Sequence, residues 1–477
     1  MSATDTLRTP WWETTSEWIN RNRWLASSVL FVATAYILSR TRGMYHPKNI
    51  YIFCLLIVWF GFDLVSYGGR VFENTPFRTP TRFLAVSAVF LSGILAVKPF
   101  LMYADPHTSA YQIMVTLLCL STSAIIIWTK LTWSERAHRQ AQRAFTLAVV
   151  LLAAARIVSL FASPAPSIDV FVKIKLAAEN VLHGVNPYGA TYPDIYAGKY
   201  GLFSGFPYLP GLLYWVTPFQ WLTKDVRAGL LLADLLSALT LYQIARFRKV
   251  PAAVSHAVTL LWLTFPVALL VLEQSWIDTL LILGVGRLAY AILRGRWREA
   301  GIILGALAAV KQYAFIVGMF TLVGVFFSGG NPKAQLGNTV RLATWALGTC
   351  LLLLFPFFVL NPHAFIYDVF LSFGELTIRN DSFSLVTLFL NKWGIEIPRY
   401  LSLAIYAVTA GTLLAYLARH PRITVWSGCL VLMYAVLFQF GVQAFCNYYQ
   451  FVAYLVLLHL TLVLSGIETP PANAAPR

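Results

Sequence analysis

Apolar stretches long enough to cross a bilayer recur along the chain, from about Trp24 to the last at Tyr448–Leu464, with short polar loops between them. A spanning helix needs roughly 17 to 25 apolar residues, so the pattern predicts about a dozen crossings. The expected fold class is all-α: a polytopic transmembrane helical protein of about 12–14 membrane segments, broken and re-entrant half-helices included.

Three segments depart from simple crossing. The basic loops Thr129–Arg143, Ala245–Lys249, Leu293–Glu299 and Ala418–Arg422 mark one side of the membrane as the inside. The helix from Arg143 to about Phe161 then runs outward, and Ala228–Ile244 must run inward. Tyr208–Leu222, with Pro210 and Pro218, is therefore expected to enter and return rather than cross. Gly301–Phe327 meets the same conflict, and a break at Lys311–Gln312 into two half-helices resolves it. Phe383–Asn391 is too short to span. Irregular backbone at membrane depth survives only against protein or a water-filled cavity. The three breaks predict an outer cavity bordered by Ser163–Pro207, Glu273–Trp276, Asn361–Ser382 and Gly441–Gln450. By the same parity the loop Arg40–Lys48 lies outside despite its basic residues.

Composition agrees with this reading. The 477 residues are 58% hydrophobic and 12% charged, with mean hydropathy +0.66, whereas soluble domains are about 25% charged. The net charge of +16 lies in short loops between apolar runs, as topology signals and anionic-lipid contacts do, and no nucleic-acid partner is expected. The cysteines Cys54, Cys119, Cys350, Cys429 and Cys446 lack metal-binding or disulfide spacing. Met1–Arg23 is polar, so no removable signal peptide is expected. Residues 1–142 read as N-terminal membrane scaffold helices, 143–465 as the module carrying the outer loop 163–207, and 466–477 as a disordered tail. Walker, G-x-S-x-G and H-E-x-x-H motifs are missing from the sequence.

The candidate chemistry lies in the outer segments. Ile168–His183 predicts an amphipathic helix on the outer surface, with Asp169, Lys173, Asn180 and His183 on one face and Phe171, Ile174, Ala178 and Val181 opposite. Asp169 is the first acid after a crossing; the alternative is an i,i+4 surface pair with Lys173. Asn186 and Tyr188 follow in an Asn-Pro-Tyr turn. Glu273, Gln274 and Asp278 cap a hairpin, with Asp278 about one turn into apolar sequence, where an acid needs a partner or a cavity. Lys311 sits in its break beside Gln312, too far from the basic flanks to snorkel, so it needs a partner or an anion. Arg379, Asn380 and Ser382 lie in an outer loop where Arg379 can grip a phosphate or pair with Asp381. Asn447, Tyr448 and Tyr449 lie at an outer boundary, where aromatic belts are common.

The order of "LHGVNPYG", "FPYLPGLLYWVTPF", "EQSWIDTLL", "AAVKQYAF", "FPFFVLNPHAF", "RNDSFSL" and "CNYY" resembles the polyprenyl-phosphate-dependent glycosyltransferases of the GT-C superfold. It is most similar to the bacterial alpha-mannosyltransferase-like family 87, over roughly Arg143–Leu464. The chain has "YLP" where that family often has Tyr-Pro-Pro, and "EQSWID" where Gly-Gln-x-Asp is usual. The resemblance implies inverting transfer of one sugar, mannose or another hexose or pentose, from a polyprenyl-phosphate donor to a lipid or glycan acceptor on the outer face of a bacterial inner membrane. Asp169 would be the general base. Lys311 and Arg379 would bind the donor phosphate, and Tyr208 and the other outer residues named above would line the substrate. No soluble cofactor is implied, and a divalent cation near Glu273 and Asp278 is left open. The alternatives are a secondary transporter or flippase, for which two comparable halves are expected and none is visible, and a polysaccharide polymerase or ligase.

Overall fold

The computed structural model describes residues 24–67, 78–97, 101–131, 138–198 and 203–464. Met1–Arg23, the middle of the Thr129–Arg143 basic loop and the tail after Leu464 lie outside the described residues. Among the described residues every regular element is helical, with one isolated bridge between Met44 and Ser382. Nine of the helices are long and apolar enough to cross a membrane, and Ala252–Leu263, Gln312–Phe326 and Ile423–Gln439 are shorter apolar helices. The chain is a polytopic helical membrane protein. Helices suit this role because each satisfies its backbone N–H and C=O groups within itself, where lipid offers no partners.

The last helix, Cys446–Val463, is the axis of the bundle. Its crossing window is 94% buried, and it packs against Trp24–Thr41, Arg227–Phe247, Asp278–Leu293 and Ile423–Gln439. Pro332–Leu360 and Arg399–Arg419 are only 17% buried and turn Leu347, Leu352, Phe355 and Leu403 outward. An apolar face of that length is stable against acyl chains and would aggregate in water.

Inside the bundle, apolar packing is pinned by a buried ion pair. Arg156 Nε donates to Asp234 Oδ2 at 2.6 Å, with both side chains at least 93% buried. The Arg156 Nη2 also donates to the Leu263 carbonyl at 2.9 Å. That carbonyl ends a helix, because Pro266 lies in a fourth break, between Ala252–Leu263 and Ala268–Glu273. Arg156 thus neutralises one buried acid and satisfies a carbonyl at the helix end, the two costs such a site imposes.

The three departures read from the sequence take concrete form. Gly211–Thr223 is a 13-residue helix with Pro218 inside it, about 20 Å long against about 30 Å of hydrocarbon. The chain breaks at Lys311, which is extended (φ −152°, ψ 140°), between Trp297–Ala308 and Phe315–Phe326. Leu385–Trp393 has nine residues. The first two lock together: the Gly211 N–H donates to the Ala309 carbonyl at 2.7 Å. A Cβ on Gly211 would stand 2.5 Å from that oxygen. Gly211→Ala is therefore expected to destabilise the protein by about 1–3 kcal/mol through overpacking, read as a lower unfolding midpoint in detergent; an unchanged midpoint would mean the two breaks are not held together.

Candidate functional site

One end of the bundle gathers most of the polar segments. Met44 bridges to Ser382, Tyr45 N–H donates to the Asp381 carbonyl at 2.8 Å, and Gly43 packs on Cys446. The loop after the first helix therefore shares an end with residues 379–383 and 442–446, as the charge parity required.

The predicted surface helix forms as Asp169–Leu182. Asp169 is its first residue, placed where helix N–H groups favour a negative charge. The residue is half-buried, and its carboxylate accepts from the Tyr196 hydroxyl at 3.4 Å. Burial raises its pKa above the ordinary carboxylate value, against the opposing pull of Lys173, the N–H groups of Val170 and Asp169, and Tyr196.

The amphipathic assignment needs one correction, at Lys173. It is 5% exposed, not a surface partner. Its ammonium donates to the carbonyls of Phe203 and Gly205. Burial lowers its pKa, while Asp169, Asp194 and Asp368 raise it. A helical wheel cannot register a neighbouring loop that folds over the polar face. Asp368, not singled out from sequence, fastens the same loop from the other side: its Oδ2 accepts from Gly189 N–H at 3.2 Å and Phe206 N–H at 3.3 Å. A lone acid in the otherwise apolar "HAFIYDVF" was the available signal.

The Asn-Pro-Tyr turn completes this frame. Asn186 Oδ1 accepts from Tyr188 N–H at 3.2 Å, and the buried Tyr188 hydroxyl donates to the Tyr208 carbonyl at 2.7 Å. Gln312 Nε2 donates to the carbonyls of Pro207 (3.2 Å) and Val369 (2.7 Å), tying the Lys311 break to the loop that carries Tyr208.

Asp278 is the centre of the second cluster. It is 1% exposed, and both its oxygens lie 3.0 Å from Lys311 Nζ. The Tyr313 hydroxyl donates to Oδ1 and Asn447 Nδ2 to Oδ2, the latter at 2.5 Å. Lys311 Nζ also lies 4.8 Å from the Tyr313 ring centre and 4.7 Å from that of Tyr448, so two aromatic rings help to replace its lost water. The pair is neutral overall. An ammonium has three donors, and Asp278 engages it through two oxygens. Tyr313 belongs to the same "AAVKQYAF" run, and its offset of two residues from Lys311 across a non-helical break gives no periodic signal.

Tyr208 links the clusters. Burial raises the pKa of its phenol, and the charges of Asp169, Tyr448 and Asp278 add to that rise. Asp169, Tyr208, Lys311, Tyr313 and Tyr448 all keep some accessible surface.

The other candidates sit elsewhere. Glu273 Oε2 and Oε1 accept from the N–H groups of Met102 (2.7 Å) and Tyr103 (2.9 Å), and Gln274 Nε2 approaches Met102 Sδ at 3.3 Å. Glu273 and Asp278 thus serve different partners, and among the described residues no three His, Cys, Asp or Glu side chains form a metal-binding group. Arg379 forms a bidentate pair with Asp381 at 2.9 and 2.7 Å. The Asn380 carbonyl accepts from Asn391 Nδ2 at 2.8 Å. Ser382 exchanges hydrogen bonds with the Ala444 backbone at 3.1 and 2.7 Å, and the Tyr449 hydroxyl donates to the Phe383 carbonyl. Ser382 and Tyr449 weld residues 379–383 to the helix Cys446–Val463 and the turn before it, whereas the bonds of Arg379 to Asp381 and of Asn380 to Asn391 stay local.

In comparison with known proteins, no protein-family model matches the chain and no curated protein matches it significantly.

Proposed function

We propose that the chain is a membrane glycosyltransferase of GT-C type. It moves one sugar, mannose or another hexose or pentose, from a polyprenyl phosphate to a lipid or glycan acceptor, with inversion. The observation that carries this reading is a half-buried acid, Asp169, together with a caged ammonium, Lys311, whose break Gln312 ties to the loop that carries Tyr208. The order of sequence motifs supports it, a resemblance that implies a bacterial inner membrane, and the positive-inside pattern favours the outer face.

The chemistry divides between the two clusters. The acceptor hydroxyl attacks the anomeric carbon and loses its proton to Asp169, whose environment disfavours the charged form and so makes it a stronger base than an exposed carboxylate. The bond from that carbon to the phosphate oxygen breaks, and the polyprenyl phosphate leaves with the electron pair. Lys311 donates to the charge that develops there, while Asp278 and the two tyrosine rings hold the ammonium in place. Arg379, bound to Asp381, joins as a phosphate ligand only by exchanging that partner.

The test is transfer of radiolabel from a panel of polyprenyl-phosphate hexoses and pentoses in membranes containing the chain. The expected product has the anomeric configuration opposite to the donor. Retention of configuration would exclude direct displacement, and no transfer from any donor would overturn the enzyme reading.

A further inference from the structure

The densest charge away from the candidate site lies at the opposite end of the bundle. Residues 287–299 hold four arginines, Arg287, Arg294, Arg296 and Arg298, against one acid, Glu299. The helix Asp278–Leu293 ends about 24 Å from Asp278, at the end that the basic loops mark as inside. The turn that follows is closed by two bonds. Gly295 takes φ +64°, its N–H donates to the Ile292 carbonyl and the Arg296 N–H to the Ala291 carbonyl, both at 2.9 Å. That double bond caps a helix C-terminus and fixes the backbone from which these arginines project.

The acid is engaged within the segment. Glu299 Oε1 accepts from Arg287 Nη2 at 3.4 Å and Oε2 from Arg296 Nη1 at 3.2 Å, while Arg287 Nη1 donates to Gln243 Oε1 at 2.9 Å. Arg294 shares the Tyr290 ring with Arg287, each guanidinium carbon 5.4 Å from the ring centre. Arg298 sits in the first turn of Trp297–Ala308, where the helix dipole disfavours a cation, and lies 4.4 Å over the Trp345 ring. Among the described residues neither Arg294 nor Arg298 has an acid or a carbonyl partner, and ring faces alone hold them.

Two like charges on one ring, with the local acid already shared, call for an anion from outside the chain. The surroundings say which. Phe247, edge-on to Tyr290 at 5.9 Å, is 42% exposed and Trp345 is 38% exposed, so the arginines stand among aromatic rings at the boundary of the bilayer, where headgroup phosphates lie. A guanidinium suits a phosphate through its planar fork of donors. A choline or ethanolamine cation on the same headgroup would be repelled by the arginines. We propose that Arg294 and Arg298, held on Tyr290 and Trp345, form a docking surface for an anionic phospholipid of the inner leaflet. The surface is independent of the chemistry at the other end.

The test places the full chain in nanodiscs of phosphatidylcholine and phosphatidylglycerol with the same acyl chains, and reads the lipids it retains by native mass spectrometry. Wild type is expected to retain phosphatidylglycerol at least about tenfold beyond the mixing ratio, and Arg294→Gln with Arg298→Gln to bring this within about twofold. A second pair, Lys333→Gln with Arg419→Gln, removes the same charge from the same end and should leave the preference within about twofold of wild type. Excess inorganic phosphate should not release the lipid. Because both lipids are read from one sample, their ratio does not depend on how much protein folds. Equal retention of the two lipids by wild type would overturn the site. Equal losses in the two pairs would replace it with diffuse attraction to charge, and release by inorganic phosphate would replace it with a site for a free anion.

Discussion

Asp169→Asn is expected to lower sugar transfer at least about 100-fold at matched protein levels, the lower end of what a positioned general base contributes. Asparagine keeps the shape and can still meet Tyr196, so the loss isolates proton acceptance from positioning. A second signature follows from charge. A base works only when ionised, and burial raises the Asp169 pKa, so the rate should fall as pH drops through a value above the ordinary carboxylate range. Lys173 opposes that rise; Lys173→Met should move the acid limb to still higher pH. An Asp169→Asn enzyme with full activity would move the base elsewhere, with Glu273, occupied by the 101–103 loop, and Asp278, held by Lys311, the next acids to test.

Lys311→Met is expected to destabilise the protein by about 3–5 kcal/mol, the cost of leaving a buried charge without its counter-ion. Asp278 would retain only Tyr313 and Asn447 as donors. Adding Asp278→Asn removes the stranded charge, so the double variant should unfold at a higher temperature than Lys311→Met alone. Both should be inactive if Lys311 meets the leaving phosphate. Strictly additive losses of stability would show that the pair is not coupled and that the cage has another purpose.

Helices and breaks were legible in the sequence because both are written locally. Apolar runs announce crossings, and the parity of Lys- and Arg-rich loops forces non-crossing segments at Tyr208–Leu222 and Lys311. Even Arg156 and Asp234, each a lone charge in its apolar run, carried a readable demand for a partner. What local pattern cannot supply is the identity of partners distant in sequence. Asp278 and Lys311 each required something, but nothing in their neighbourhoods pointed to the other or to Asn447. Glu273 looked like a cavity acid and is a clamp, because the N–H groups it binds belong to a loop 170 positions earlier. Lys173 looked solvated until the 203–205 carbonyls closed over it.

The contact between the first described helix, Trp24–Thr41, and the last, Cys446–Val463, bears on how the protein is made. Trp24–Thr41 is made well before the surface that covers much of its buried side. Until then its buried Ser27, Ser28 and Thr34 face lipid or a substitute partner. Assembly is therefore bound to finish late, and a chain stopped before Cys446 leaves the bundle without its axis. Such truncated chains are natural substrates for membrane quality control, and loss of Cys446–Val463 should remove the protein from the cell rather than yield a partly active remnant.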